Sequence, residues 1–257
     1  FAGIGGIRLG FQEAFGKNIE FVFSSEIDKY AKQTYYANFG EVPYGDITKI
    51  DEKDIPPHDI ILAGFPCQAF SIAGKRLGFE DTRGTLFFDV ARIATYHKPK
   101  LIFLENVKGF LNHDKGNTFK VVKQTLEDLG YKVYSKVLNA KDFGVPQNRE
   151  RIYIVAFLDN VDFDFPNNLN KNVSIHDMFE TKIDDKYYYN NKPLFEKIKD
   201  DVANKDSIYQ WRRKYVRENK SGVCPTLTAN MGTGGHNVPI IKDNKGIRKL
   251  TPKECLN

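Results

Sequence analysis

Over roughly its first 160 residues the chain alternates short apolar runs with segments whose apolar positions recur at helical spacing. Gly3-Ile4-Gly5-Gly6 reads as a tight turn opening a helix through about Phe15. Ile19 to Ser25 reads as a strand ending at Glu26, and Lys29 to Asn38 as a helix. Asp59 to Ala63 is a short apolar strand, broken by Gly64 and Pro66. Thr85 to His97 sets Leu86, Val90, Ile93 and Ala94 at helical spacing, with Pro99 as its stop. Leu101 to Leu104 is another apolar strand, and Thr118 to Leu129 an amphipathic helix closed by Gly130. Tyr131 to Leu138 and Arg151 to Phe157 look like two further strands. Alternation of this kind predicts an α/β fold with a parallel sheet.

The pattern changes after Pro166: Asn and Lys become frequent, strands shorten, and glycine-rich turns such as Met231-Gly232-Thr233-Gly234-Gly235 appear. An irregular, partly β module is expected there. Thr251-Pro252-Lys253-Glu254 is a helix start, with Thr as N-cap, Pro at the first helical position and Glu closing a capping box. The chain opens directly on the glycine turn and closes three residues after that box, so both ends read as cut.

Composition narrows the class. Of 257 residues, 41% are hydrophobic, which supports a sizeable core and argues against disorder. No apolar run approaches the ~20 residues needed to span a bilayer. Cys67, Cys224 and Cys255 are odd in number and far apart, so a reduced, cytoplasmic setting is expected and no metal cluster is. Most of the scattered histidines read as solvated surface. Residues 181–246 hold 13 Lys and Arg against 8 Asp and Glu, which accounts for the whole net charge of +5. That suggests a polyanion-binding module beside a neutral body, although a lysine-rich solvated surface explains the charge alone equally well.

The candidate chemistry sits at strand ends. Cys67 follows the strand that ends at Ala63, where ligands bind in open α/β sheets, and Glu105 follows the next. A nucleophile and an acid at neighbouring strand ends suit covalent catalysis with proton transfer. Cytosine is one substrate that needs this pair. A thiolate added at C6 makes C5 enamine-like, and an acid at N3 relieves the charge that develops there. The glycine turn departs from the dinucleotide pattern, with Arg8 where a third glycine would stand. Glu26, at the next strand end, suits ribose hydroxyls, and Asp46, at the end of a third strand, suits an adenine amine. S-adenosyl-L-methionine fits such a site. In Gln147-Asn148-Arg149-Glu150-Arg151, extended geometry puts Arg149 and Arg151 on one face, able to bind a phosphate and a base carbonyl. Taken singly, each has a plainer reading: an inert thiol, a surface carboxylate, an unliganded turn, a salt-bridged strand start.

Six motifs occur in order: Phe1 to Gly6 (FAGIGG), Gly64 to Ser71 (GFPCQAFS), Gly78 to Phe87 (GFEDTRGTLF), Glu105-Asn106-Val107, QNRER at 147–151 and Arg248 to Cys255 (RKLTPKEC). Together they resemble bacterial DNA (cytosine-5) methyltransferases of restriction–modification type. The resemblance implies a Rossmann-like, S-adenosylmethionine-dependent methyltransferase sheet over residues 1–180. It further implies a smaller, mostly β target-recognition domain over 181–246 and the start of a return segment at 247–257. Cys67 would be the nucleophile, Glu105 would contact N3 and the exocyclic amine, and Arg151 would hold O2 with support from Arg149. Phe1, Ile4, Gly6, Glu26, Ile27, Asp46, Pro66 and Leu86 would line the methyl-donor pocket, with Ile27 where some relatives carry an aromatic ring. Residues 67–85 resemble the loop that closes over a flipped base, which places Ser71, Lys75, Arg76 and Arg83 against DNA. Arg212, Arg213, Thr228 and Asn230 would read or grip the duplex, and the stretch Tyr209 to Tyr215 mixes stacking and phosphate-binding side chains.

The implied activity is methylation of C5 of cytosine in a specific duplex, protecting host DNA from a cognate restriction endonuclease. The implied protein is monomeric, metal-free and not membrane-bound. Three other readings compete. A tRNA cytosine-5 methyltransferase shares the Cys67 and Glu105 motifs, and a catalytically inactive DNA-binding relative shares the fold. A nicotinamide oxidoreductase is disfavoured by Arg8.

Overall fold

The computed structural model describes residues 1–66, 86–169, 171, 173–212, 214–228, 231 and 238–256. The chain divides into two compact units, Phe1–Val137 with Arg151–Phe165, and Leu138–Glu150 with Pro166–Asn257.

The first unit opens with helix α1 (Gly6–Phe15) after the turn that holds Gly3 and Gly5 at φ +56° and +92°. Helix α2 (Lys29–Phe39) is capped by Asp28, whose carboxylate accepts from the backbone N–H groups of Tyr30 and Ala31. Strand β1 (Ile60–Ala63), helix α3 (Phe87–His97), strand β2 (Leu101–Val107), helix α4 (Asn117–Asp128), strand β3 (Lys132–Asn139) and strand β5 (Glu150–Phe157) follow; strand β4 (Gln147–Asn148), which precedes β5 in the chain, falls in the second unit. The sheet runs β1-β2-β5-β3. β1 and β2 are parallel, as the alternation of apolar runs predicts, but β5 enters antiparallel to β2. The purely parallel expectation is therefore corrected. Alternation along β2 turns Ile102, Leu104 and Asn106 into the core and leaves Glu105 on the other face. The core gathers Ile102, Leu104, Ile152 and Ile154 from the sheet with Val90, Ala91, Val122 and Leu126 from α3 and α4, all at most 3% exposed. Burying side chains of this size stabilises by about 1.5–3 kcal/mol each.

Two expected strands are not laddered. Ile19 to Ser25 is extended but forms no named strand; its end carries one bridge, Ser25 to Tyr44, and the Ser25 carbonyl accepts from the backbone nitrogens of Phe1 and Ala2. A cavity of about 540 Å³ lies between this segment and β1, lined by Phe21, Phe23, Ile61 and Ala63 among others. Asp46 does not end a strand; it caps a short 3-10 turn, Ile47–Lys49. Two histidines depart from a solvated surface: the His58 and His97 rings lie 4.5 Å apart between centroids, tilted at 45° and half-buried.

The second unit is built on the antiparallel sheet β10-β9-β6-β7. Its strands are β6 (Ile208–Trp211), β7 (Val216–Asn219), β9 (Pro239–Lys242) and β10 (Ile247–Lys249). The short strand β8 (Cys224–Pro225) pairs in parallel with β4. Helix α5 (Phe195–Ile198) covers one end of the core, and helix α6 (Pro252–Leu256) follows β10. The expected capping box forms at α6: Glu254 N–H donates to Thr251 Oγ1 at 3.1 Å, and Thr251 N–H donates to Glu254 Oε2 at 2.9 Å. Glu254 also takes both Nη groups of Arg248, at 2.7 and 2.8 Å, and the Glu180 N–H at 3.0 Å. Arg248 Nε donates to Asp243, which accepts from the Tyr188 hydroxyl as well. Both charged partners are buried, with side chains 2% and 0% exposed, and buried charges persist only when paired and bonded in this way.

Candidate active site

The carboxyl ends of β1 and β2 lie side by side in register, Ala63 opposite Leu104. Beyond Ala63 the chain turns through Gly64, Phe65 and Pro66. The Phe65 ring is buried against Phe87 and Phe110, at centroid distances of 5.7 and 5.5 Å. Its carbonyl accepts from Asn106 Nδ2 at 2.8 Å. The ladder of β2 continues through Val107, so Glu105 and Asn106 are strand residues and not, as expected, residues of the loop after it. Glu105 Oε1 accepts from Arg151 Nε at 2.8 Å. Glu105 Oε2 lies 3.4 Å from where a side-chain carbon on Gly64 would stand. An acid carboxyl, its guanidinium partner and the turn leading to Cys67 thus share one end of the sheet.

The glycine turn forms a second cluster in this unit. Glu26 Oε2 accepts from Gly3 N–H at 2.7 Å, and Oε1 accepts from the N–H groups of Ile27 and Asp28, both at 2.9 Å. The carboxylate thereby locks the turn in front of α1. Side-chain carbons built on Gly3 and Gly6 would meet nothing within 4 Å, so the turn borders open space. Ile4 and Ile27 flank it at 53% and 72% exposure, large enough to supply an apolar wall for a planar ligand. Asp46 Oδ1 accepts from Thr48 N–H and Oγ1; these bonds, the hydroxyl first, hold its carboxyl below the usual range. Phe1 packs on the core, Pro66 is exposed, and Leu86 stands immediately before α3. A carboxylate, an open glycine turn and exposed apolar side chains suit a nucleoside with free ribose hydroxyls.

In the second unit Arg149 falls between β4 and β5, which interrupts the extended run expected through both arginines. Its N–H donates to Asn139 Oδ1 at 2.9 Å and its carbonyl accepts from Ala140 N–H at 3.0 Å. Arg212 opens the turn between β6 and β7, where its N–H donates to the Tyr215 carbonyl. Thr228 is half-buried and its carbonyl accepts from Met231 N–H. Tyr209 is 1% exposed and Trp211 packs on the same core, so those two aromatics are structural rather than stacking surfaces; Tyr215 is exposed. Cys224 is buried, which pushes its thiol up to about 12, and burial also raises Cys255. Neither offers a thiolate near neutral pH. Cys67, Ser71, Lys75, Arg76, Arg83, Arg213 and Asn230 lie outside the described residues.

A family model described as C-5 cytosine-specific DNA methylase matches residues 1–257. The chain is 52% identical to the type II methyltransferase M.Bsp6I of Bacillus sp. (strain RFL6), over 100% of this chain and 84% of that protein. It is 51% identical to the type II methyltransferase M.HaeII of Haemophilus aegyptius, over 100% of this chain and 79% of that one. Among solved structures, the Dnmt2 methyltransferase of S. pombe superposes with a TM-score of 0.72 at 18% identity, covering 99% of this chain and 83% of that one.

Proposed function

The chain belongs to the C-5 cytosine-specific DNA methylase family, and on that premise we propose that it methylates C5 of a cytosine flipped out of a specific duplex sequence, with S-adenosyl-L-methionine as donor. Its role is to protect host DNA from a partner restriction endonuclease, acting as a cytoplasmic monomer. The observation that carries the reading is the Glu105 carboxyl, bonded to Arg151 at 2.8 Å and set against Gly64, three residues before Cys67.

The residues assign themselves to steps by their chemistry. Cys67 adds as thiolate to C6. A protonated Glu105 donates to N3, so the electron pair displaced from the C5–C6 bond is held as an enamine rather than a carbanion. Arg151 keeps Glu105 in place and reaches the O2 carbonyl, and Arg149 supports it. Once C5 is methylated, a base removes the C5 proton, the C5–C6 double bond re-forms, and Cys67 leaves as thiolate. Glu26 with the glycine turn, Asp46, and the apolar walls of Phe1, Ile4, Ile27, Pro66 and Leu86 hold the donor, which supplies an electrophilic methyl when bound. Residues 67–85, with Ser71, Lys75, Arg76 and Arg83, close on the DNA backbone. The second unit, with Arg212, Arg213, Thr228 and Asn230, supplies target recognition.

The raised thiols of Cys224 and Cys255 argue against either of them as the nucleophile, and the strand-end position of Cys67 in the sequence supports it in that role. Duplex DNA with 5-fluorocytosine at the target tests the assignment, because fluorine cannot depart as the C5 proton does. The protein should form a denaturant-stable adduct with this DNA and Cys67→Ser should not. An adduct formed by Cys67→Ser overturns it.

A further inference from the structure

We propose that Asn106 is a positioning residue for the thiol attack, gripping the turn that leads to Cys67; this rests on the function proposed above. Asn106 follows Ile102 and Leu104 on the core-facing side of β2, where the two-residue period calls for an apolar side chain. It is 3% exposed. A buried amide costs stability unless its donors and acceptor are bonded. Both of its bonds go to backbone at the site: Nδ2 donates to the Phe65 carbonyl at 2.8 Å, and Oδ1 accepts from Val107 N–H at 2.9 Å. The second bond fixes which end of the amide faces Phe65, so the group there is a donor and not an acceptor.

Two constraints therefore meet at Phe65. Its ring is wedged between Phe87 and Phe110, and its carbonyl is tied to β2. Cys67 is two residues further on. Neighbouring positions of one strand thus divide the work: Glu105 presents the acid on one face, and Asn106 holds the other strand's exit on the opposite face. Misplacing a reacting atom by about 1 Å costs on the order of 10²-fold in rate.

Asn106→Asp and Asn106→Ala provide the test, with folding checked by thermal melting and donor affinity by calorimetry. The readout is the rate of adduct formation with 5-fluorocytosine duplex DNA from pH 6 to 8. Asn106→Asp keeps shape and acceptor but can donate to Phe65 only when its carboxyl is protonated. Its rate relative to the unmodified protein should be about 10²-fold low at pH 8 and rise as pH falls. Asn106→Ala should be similarly slow at every pH, with donor affinity within about twofold. A pH-independent Asp ratio, or an Ala rate within threefold of the unmodified protein, overturns the proposal. Loss of folding in both variants also overturns it, by making Asn106 a core residue only. The unmodified protein run alongside reads the underlying covalent chemistry separately.

Discussion

Glu105 and Arg151 are diagonal neighbours across β2 and β5. Arg151 stands opposite Val107 and Glu105 opposite Tyr153, so the guanidinium reaches back one pleat to meet the carboxylate at 2.8 Å. Diagonal partners on one face are within reach of long side chains, and the antiparallel register fixes this one. The reversal of β5 is thus what brings a basic residue, far along the chain, onto the acid.

Removing the acid should stop chemistry without stopping binding. Glu105→Gln is expected to lower kcat by about 10²–10⁴, with the affinity for duplex DNA little changed. Transfer of tritiated methyl groups to duplex DNA measures the first, and a filter-binding titration the second. A kcat within tenfold of the unmodified protein would remove Glu105 from the mechanism.

The glycine turn offers a contrast within ten residues. Gly5 has φ +92° and a side-chain carbon there would overlap the Phe39 ring, whereas Gly10 in α1 has nothing within 4 Å. Gly5→Ala should destabilise by about 1–3 kcal/mol and weaken donor binding. Gly10→Ala should instead stabilise by roughly 0.5–1 kcal/mol. Chemical denaturation of both variants checks the pair, and equal shifts would contradict the strained turn.

Burial lowers the His58 pKa below its ordinary 6.5, and the neighbouring His97 adds to that effect against the bond to Pro56. The unfolded chain therefore takes up the proton first. Stability from this group is fully present above about pH 6.5 and falls as pH drops toward the lower folded value. Melting temperature should decline as pH falls below 6.5, and His58→Gln should flatten that decline. An unchanged slope in the variant would acquit His58.

The Arg248–Glu254 pair predicts a pronounced asymmetry. Glu254→Ala leaves the buried Arg248 guanidinium with Asp243 at Nε but without the carboxylate at its two Nη groups and should cost about 3–5 kcal/mol, while joint replacement by Arg248→Met and Glu254→Leu should cost much less. Urea unfolding of the single and double variants measures the difference; additive losses would show that the two residues do not act as a pair.

Much of this architecture is legible in local sequence. The helices α1 to α4, the strands β1 to β3 and the Thr251–Glu254 capping box follow from period, caps and breakers, because the forces that set them lie within a few residues. The direction of β5 is not local: its apolar run reads alike whichever way it enters the sheet. Asn106 is legible as a motif letter but not as a clamp, since its partner, the Phe65 carbonyl, is 41 residues away. Tyr209 looks like a stacking residue beside Trp211 and two arginines, yet β6 is covered on both faces and Tyr209 lies in the core, where its hydroxyl accepts from Asn204 N–H at 2.9 Å.

The pairing of β4 with β8 carries a consequence for the order of synthesis. Gln147 and Asn148 wait for Cys224 and Pro225, and Thr226 then donates its hydroxyl to the Asn148 carbonyl. At about 5–20 residues per second, a ribosome takes roughly 4–15 s to supply those partners. Throughout that interval the nascent Gln147–Asn148 strand lacks its ladder partner. Its Gln and Asn side chains, both polar, keep that edge soluble while it waits.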